Sequence, residues 1–87
     1  MSRTVLLSGP AQRAYAALPT EERRRVHDKL FDFARSGRGD VKRLRGTQGR
    51  EDLFRLRVGD YRVVFAISEA EIRVTQIIHR GEGYDWL

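Results

Sequence analysis

The feature that most constrains this chain is the segment from residue 53 to residue 67, which predicts two strands joined at Gly59-Asp60. Side chains alternate between the two faces of a strand. The apolar residues predicted to face a core are Phe54, Leu56 and Val58. The residues predicted to face the other side are Arg55 and Arg57, with Arg62 added by the returning strand. Such a hairpin needs a second layer over its apolar face, and its arginine face is suited to binding phosphate because guanidinium groups pair well with phosphate oxygens.

The length of the chain predicts a single domain. Its 87 residues suffice for one hydrophobic core, so residues 1–87 are expected to form one unit. The absence of cysteine excludes disulfides, thiolate metal sites and a cysteine nucleophile. The apolar run Val5-Leu6-Leu7 is too short for a signal peptide or a membrane span. A cytoplasmic protein without a membrane partner is the resulting expectation.

The charge of the chain indicates an acidic partner. The formal net charge is +5 and the isoelectric point is about 10.4. Residues 41–62 contain seven Lys and Arg against three Asp and Glu, whereas residues 68–87 contain two against four. Nucleic acid or an acidic protein is therefore expected to bind the middle of the chain. A general preference for Arg over Lys is the alternative explanation of the arginine content.

The pattern of apolar residues predicts an α+β fold with the order β-α-α-β-β-β. A short strand over residues 4–8 precedes a helix with the apolar stripe Ala11, Ala14, Tyr15 and Leu18. A second helix, with Thr20 as its predicted cap, has the stripe Val26, Leu30, Phe33 and Ala34. Residues 42–50 predict a polar connection, and residues 72–78 predict the last strand. Two N-terminal helices are thus expected to pack on one face of a small, mostly antiparallel sheet, with the arginines on the other face.

Three motifs resemble those of a known family. They are Lys42-x-Leu44-x-Gly46, the run from Leu53 to Phe65 that contains Arg-Val-Gly-Asp-Tyr-Arg-Val, and Ile78-His79-Arg80. Together with the order of elements, they make nearly the whole chain resemble the RelE/ParE superfamily of toxins from bacterial toxin–antitoxin systems. The resemblance implies a RelE-like fold and a cognate antitoxin as protein partner.

Within that superfamily the chain looks closer to the RelE-like branch. RelE-like toxins enter the ribosomal A site and cut mRNA there. The 2′-hydroxyl attacks the neighbouring phosphate, which gives a 2′,3′-cyclic phosphate and a 5′-hydroxyl without a metal ion. The resemblance therefore implies the ribosome and mRNA as partners, and no metal or small-molecule cofactor. ParE-like members share the fold and act on DNA gyrase instead.

Two arginines match the family's phosphate-binding positions. Arg62 follows the tyrosine of the second hairpin strand, and Arg80 matches the C-terminal arginine of the family. Both are expected to act as phosphate clamps in the transition state. The alternative for Arg62 is an ion pair with Asp60 or Glu51.

The residues for proton transfer depart from the family pattern. RelE-like ribonucleases often carry two lysines on the first hairpin strand, and Leu53 and Arg55 stand at those positions. Arg55 keeps the positive charge and is retained as a catalytic candidate, although a guanidinium is a poor proton donor. His79 and Tyr84 are the natural substitutes, because imidazole exchanges protons near neutral pH and Tyr84 matches the family's C-terminal tyrosine. The alternatives are a histidine bonded to the backbone at a strand end and a tyrosine that packs the tail on the sheet.

Four further basic residues are expected to contact the RNA backbone. They are Lys42, Arg43, Arg45 and Arg57. Contacts to phosphates are salt-sensitive and independent of base sequence, which suits residues on a polar connection. The alternative is an ordinary solvated basic loop. The sequence contains no Gly-rich phosphate loop, and two histidines without cysteine do not predict a structural zinc site.

Two other functions remain open from the sequence. A gyrase-inhibiting toxin needs the fold and a binding surface but no acid–base residues, so the missing lysines favour it. The His79-Arg80 pair and Tyr84 favour the ribonuclease. A degenerate toxin that binds its antitoxin without catalytic activity is the third possibility.

Overall fold

Five strands form one mixed sheet in the computed structural model, which describes residues 2–44 and 52–81. The strands are β1 (Thr4–Leu7), β2 (Val41–Arg43), β3 (Phe54–Val58), β4 (Tyr61–Ile67) and β5 (Glu71–His79). Their order in the sheet is β1-β5-β4-β3-β2. The β1–β5 pair is parallel and the other three pairs are antiparallel. The predicted α+β fold with a mostly antiparallel sheet is confirmed.

Two helices, α1 (Gly9–Ala17) and α2 (Thr20–Ser36), cover one face of this sheet. The predicted apolar stripe of α2 is confirmed, since its buried residues are Val26, Leu30, Phe33 and Ala34. The predicted cap of α2 is wrong, because Thr20 is already helical and the N-cap residue is Pro19. Proline has no side-chain acceptor for the unpaired backbone amides at the start of the helix. Gly37 ends the helix in the left-handed region at φ 77°. No helix among the described residues is long and apolar enough to cross a bilayer.

The hydrophobic core lies between the helices and the sheet. The ring centre of Phe65 on β4 lies 5.4 Å from that of Phe33 on α2 and 5.9 Å from that of Phe54 on β3. Leu56 and Val58 are 1% and 4% exposed, as the alternating pattern predicted. The apolar face of the hairpin is therefore the face that the helices cover.

The short strand β2 was not predicted, because residues 42–50 looked like a polar connection. Val41 lies opposite Leu56 and packs half-buried against the core, while Lys42 lies opposite Arg55. Three residues are too few for a period of two to stand out in a sequence. Their pairing partner on β3 is what makes them a strand.

An irregularity in β5 changes which of its residues share a face. Val64 pairs with Gln76, but the next residue, Phe65, pairs with Val74, so Thr75 is an extra residue between them. The Thr75 hydroxyl donates to the Val64 carbonyl at 3.3 Å. Strict alternation predicts that His79 shares a face with Arg73, and this is wrong because such a bulge shifts the phase of the strand by one residue.

The sheet face opposite the helices has an apolar centre that the sequence did not predict. Val64, Ala66 and Ile78 are 0%, 1% and 6% exposed, yet they do not belong to the helix-side core. Ile78 lies directly opposite Arg62, so it is on the face of that arginine. The predicted arginine face therefore consists of basic residues around buried aliphatic ones.

Candidate functional site at the β3–β4 turn

The two-residue turn between β3 and β4 brings together site residues that are distant in the sequence. Arg62 is the second residue after the turn, and its cross-strand partner on β3 is Arg57. Tyr61 lies opposite His79, the last residue of β5, and Arg80 follows at once. The end of the sheet at Gly59-Asp60 thus collects Arg62, His79 and Arg80, three of the five predicted catalytic residues.

Arg62 contacts neutral groups at this turn. Its Nη1 donates to the carbonyl oxygens of Gly59 and Tyr61, both at 3.0 Å. The predicted alternative, an ion pair with Asp60, is not formed, and Glu51 lies outside the described residues. Because carbonyl groups orient the guanidinium without neutralising it, Arg62 keeps its full positive charge for an anion.

Arg80 is tied to the tip of the same turn. Its backbone amide donates to the Asp60 carbonyl at 2.7 Å, and its Nη1 lies 3.6 Å from Asp60 Oδ1. The arginine and aspartate side chains are 65% and 59% exposed, so the ion pair is a weak one. An incoming phosphate can therefore compete with Asp60 for this guanidinium.

His79 lies on the helix-side face of the sheet. Its ring meets that of Tyr61 edge to face with centres 5.3 Å apart, and Tyr61 packs partly buried against the core. The Gly81 amide donates to His79 Nδ1 at 3.4 Å. Arg62 points to the other face, so His79 and Arg62 flank the sheet end from opposite sides.

Arg55 lies away from the turn and is held by a carboxylate. Its Nη1 donates to the Asp40 carbonyl at 2.8 Å and to Asp40 Oδ1 at 3.1 Å. The Arg55 side chain is only 13% exposed. Sequence reasoning missed Asp40, since nothing in the local pattern indicates that a residue before β2 reaches along the sheet to β3.

The predicted RNA-contacting residues fall into separate groups. Lys42 and Arg57 are exposed on the face opposite the helices, and within the described residues their side chains form no hydrogen bond or ion pair. Arg43 lies opposite Phe54, with its Nη2 2.8 Å from Asp52 Oδ1. Arg45 and Tyr84 lie outside the described residues.

A third arginine reaches the turn, this one from the helical layer. If a Cβ were added to Gly59, it would lie 3.5 Å from Nη1 of Arg25 on α2. In the sequence, Arg25 belongs to a run of three arginines, residues 23–25, which is typical of a solvated helix face. No sequence signal could have found this proximity, which depends on how α2 crosses the sheet.

An apolar cleft of about 230 Å³ lies elsewhere on the molecule. Its lining comes from β1, α1 and α2 and consists of Val5, Leu7, Tyr15, His27, Leu30 and Phe31. None of these lining residues, taken from the described part of the chain, is Lys or Arg. The turn, rather than this cleft, carries the charge needed for a phosphate ligand.

Comparisons with known proteins agree with this architecture. The model of the family "ParE toxin of type II toxin-antitoxin system, parDE" matches residues 5–84. A comparison with curated protein sequences found no significant match.

Three solved structures have the same fold. A chain of the archaeal RelE-RelB complex from Pyrococcus horikoshii OT3 is 28% identical with a TM-score of 0.75, over 95% of this chain and 100% of that one. A chain of the toxin–antitoxin complex RelBE2 from Mycobacterium tuberculosis is 25% identical with a TM-score of 0.77, over 92% of this chain and 100% of that one. A chain of the RelB-RelE complex from Methanococcus jannaschii, 21% identical with a TM-score of 0.69 over 94% and 98%, shares the fold. The chain belongs to the ParE toxin family of type II toxin–antitoxin systems, within the RelE/ParE superfamily.

Proposed function

We propose that this toxin is a ribosome-dependent mRNA endoribonuclease that inhibits translation. The observation that supports this most is the gathering of Arg62, Arg80 and His79 at the β3–β4 turn. Two guanidinium groups and an imidazole at one end of a rigid sheet meet the needs of phosphodiester cleavage, which are positive charge on the phosphate and a group that exchanges a proton.

The proposed reaction uses the substrate's own nucleophile. The 2′-oxygen forms a bond to phosphorus, the bond from phosphorus to the 5′-oxygen breaks, and a 2′,3′-cyclic phosphate and a 5′-hydroxyl result. Arg62 and Arg80 stabilise the charge on the non-bridging oxygens. His79, as an imidazolium, delivers a proton to the leaving 5′-oxygen and is left as neutral imidazole. The proton of the 2′-hydroxyl passes to water, and Tyr84 assists at that hydroxyl. Arg55 adds positive charge on the sheet face of Arg62, away from the turn, and no metal ion takes part.

A cognate antitoxin is the proposed protein partner. The similar chains from P. horikoshii and M. tuberculosis were solved in complexes with their antitoxins. The net charge of +5 suits an acidic partner, and we expect a neighbouring reading frame to encode a short protein with an acidic tail. Co-expression of the two proteins should give a complex that no longer inhibits translation.

A purified translation system tests the proposal. The wild-type protein should cut mRNA on ribosomes and leave the same mRNA intact without them, and the 3′ ends should carry a cyclic phosphate. Uncut message in actively translating ribosomes would overturn the proposal.

Inhibition of DNA gyrase is the second candidate. The match to the ParE toxin family favours it, and so does the engagement of Arg55 by Asp40 where RelE-like ribonucleases often have a lysine. Arrest of gyrase supercoiling with translation unaffected would assign the toxin to this branch. Neither effect, with tight binding of the antitoxin, would indicate a toxin without catalytic activity.

A further inference from the structure

We propose that Arg25 is an additional phosphate-binding residue, contributed by α2 to the His79 side of the site. This inference rests on the proposed ribonuclease function and names a residue that the sequence motifs do not include.

The first argument is position. Nη1 of Arg25 lies 3.5 Å from where a Cβ on Gly59 would stand, so the guanidinium lies against the turn. Gly59 immediately precedes Asp60, the residue that holds Arg80. Arg25 is therefore near the same turn as the residues proposed for catalysis.

The second argument is the distribution of charge over the two faces of the sheet. Arg62 points to the face opposite the helices, whereas His79 lies on the helix-side face with Tyr61. A phosphate at the sheet end, between Arg62 on one face and His79 on the other, can take a further cation from the helix side, where α2 lies. Arg25 supplies charge to the phosphate from the helix side, and Arg62 supplies it from the opposite face.

The third argument is that Arg25 is available to bind an anion. Its side chain is exposed, and within residues 2–44 and 52–81 it forms no hydrogen bond or ion pair. Its neighbours differ: Arg23 donates to the Ala16 carbonyl at 3.3 Å, and Arg24 lies 3.7 Å from Glu21 Oε1. Of these three consecutive arginines, Arg25 is the one that lies at the turn. It is also the one whose side chain has no hydrogen-bond or ion-pair partner among the described residues.

Arg24 provides a matched control, because Arg24→Gln removes the same charge from the adjacent position of the same helix. We would measure kcat and KM of mRNA cleavage on ribosomes for the wild type, Arg25→Gln, Arg24→Gln and Arg25→Lys, at several KCl concentrations. Arg25→Gln should lower kcat/KM about tenfold or more. It should also make the slope of log(kcat/KM) against log[KCl] shallower by about one, as expected for the loss of one phosphate contact. Arg24→Gln should stay within about twofold of the wild type, and Arg25→Lys should recover most of the loss because it restores the charge.

Each other outcome overturns the inference in a distinguishable way. If Arg25→Gln and Arg24→Gln are equally active and the wild type cuts mRNA, the inference about Arg25 is overturned and the proposed function is not. A loss that Arg25→Lys does not recover and that accompanies a lower free energy of unfolding shows a packing role. Weaker antitoxin binding by Arg25→Gln with unchanged cleavage places Arg25 in a protein interface. If the wild-type protein cuts no mRNA, the proposed function fails and this inference with it.

Discussion

Arg55 and Arg62 share one face of the sheet, but their surroundings give them different roles. The guanidinium of Arg62 is bound by two carbonyl groups, whereas that of Arg55 is bound by the carboxylate and carbonyl of Asp40. A carboxylate compensates the positive charge and a carbonyl does not. Arg62 is therefore the stronger candidate for a phosphate clamp, and Arg55 contributes more to holding the sheet together.

Replacement of Arg62 should abolish most of the activity without unfolding the protein. We expect Arg62→Gln to lower kcat of mRNA cleavage by about a hundredfold or more, because the group stabilises charge that develops in the transition state. Arg35→Gln is the matched control, since Arg35 is an exposed arginine near the end of α2 that pairs with Asp32. Similar cleavage rates for the two variants would contradict the role of Arg62.

Replacement of Arg55 should lower stability. Arg55→Gln removes a charged hydrogen-bond donor that is 13% exposed, so we expect the free energy of unfolding to fall by about 1–2 kcal/mol. Arg43→Gln is the control: its ion pair with Asp52 is exposed at 65% and 52%, and its loss should cost less than about 0.5 kcal/mol. Urea unfolding of both variants measures the difference, and equal losses would show that Arg55 is not structural.

At the scale of elements, the connection between α2 and β2 depends on two glycines with positive φ. Gly37 has φ 77° and open space around a would-be Cβ. Gly39 has φ 154°, and a Cβ there would lie 2.7 Å from Cδ1 of Leu56, which is 1% exposed. The chain therefore needs glycine at 37 for its conformation alone, and at 39 also for close contact between the connection and β3.

The two glycines should respond differently to the same substitution. We expect Gly37→Ala to cost about 1 kcal/mol from the left-handed conformation alone. Gly39→Ala should cost more, about 2–3 kcal/mol, because Leu56 is packed in the core and cannot move aside freely. Thermal unfolding of the pair tests this, and a smaller loss for Gly39→Ala would refute the steric argument.

At the scale of the whole molecule, the two layers divide the work. The helices and the apolar face of the sheet form the hydrophobic core. The β3–β4 turn and the opposite face of the sheet carry exposed basic side chains. Lys42 and Arg57 on that face have no ion pair with a described residue. They are suited to attraction of a polyanion rather than to chemistry at one phosphate.

Loss of either of these two charges should therefore affect binding more than catalysis. Lys42→Gln and Arg57→Gln are each expected to raise KM for ribosome-bound mRNA severalfold, leave kcat nearly unchanged and reduce the salt slope by about one charge. Steady-state kinetics at several KCl concentrations would measure this. A fall in kcat with constant KM would assign the residue to the reacting phosphate instead.

Much of the fold could be predicted because its signals are local. The alternation in β3 and the four-residue stripe of α2 appear in the sequence and are confirmed by burial. The bulge at Thr75 could not be predicted, since a bulge depends on which residues of two strands pair. The strand β2 escaped prediction for the same reason, because its three residues become a strand only beside β3.

The candidate site likewise has features with local sequence signals and features that depend on contacts between distant residues. The sequence by itself determined the hairpin, the order of elements apart from β2, the basic character of residues 41–62 and the motifs that indicate the superfamily. These properties depend on neighbouring residues in the chain. Only the tertiary structure decided that Arg62 and His79 flank the turn from opposite faces, that Asp40 holds Arg55 and that Arg25 reaches Gly59 from α2. Those contacts join residues far apart in the chain, and they form only when the helices pack on the paired strands.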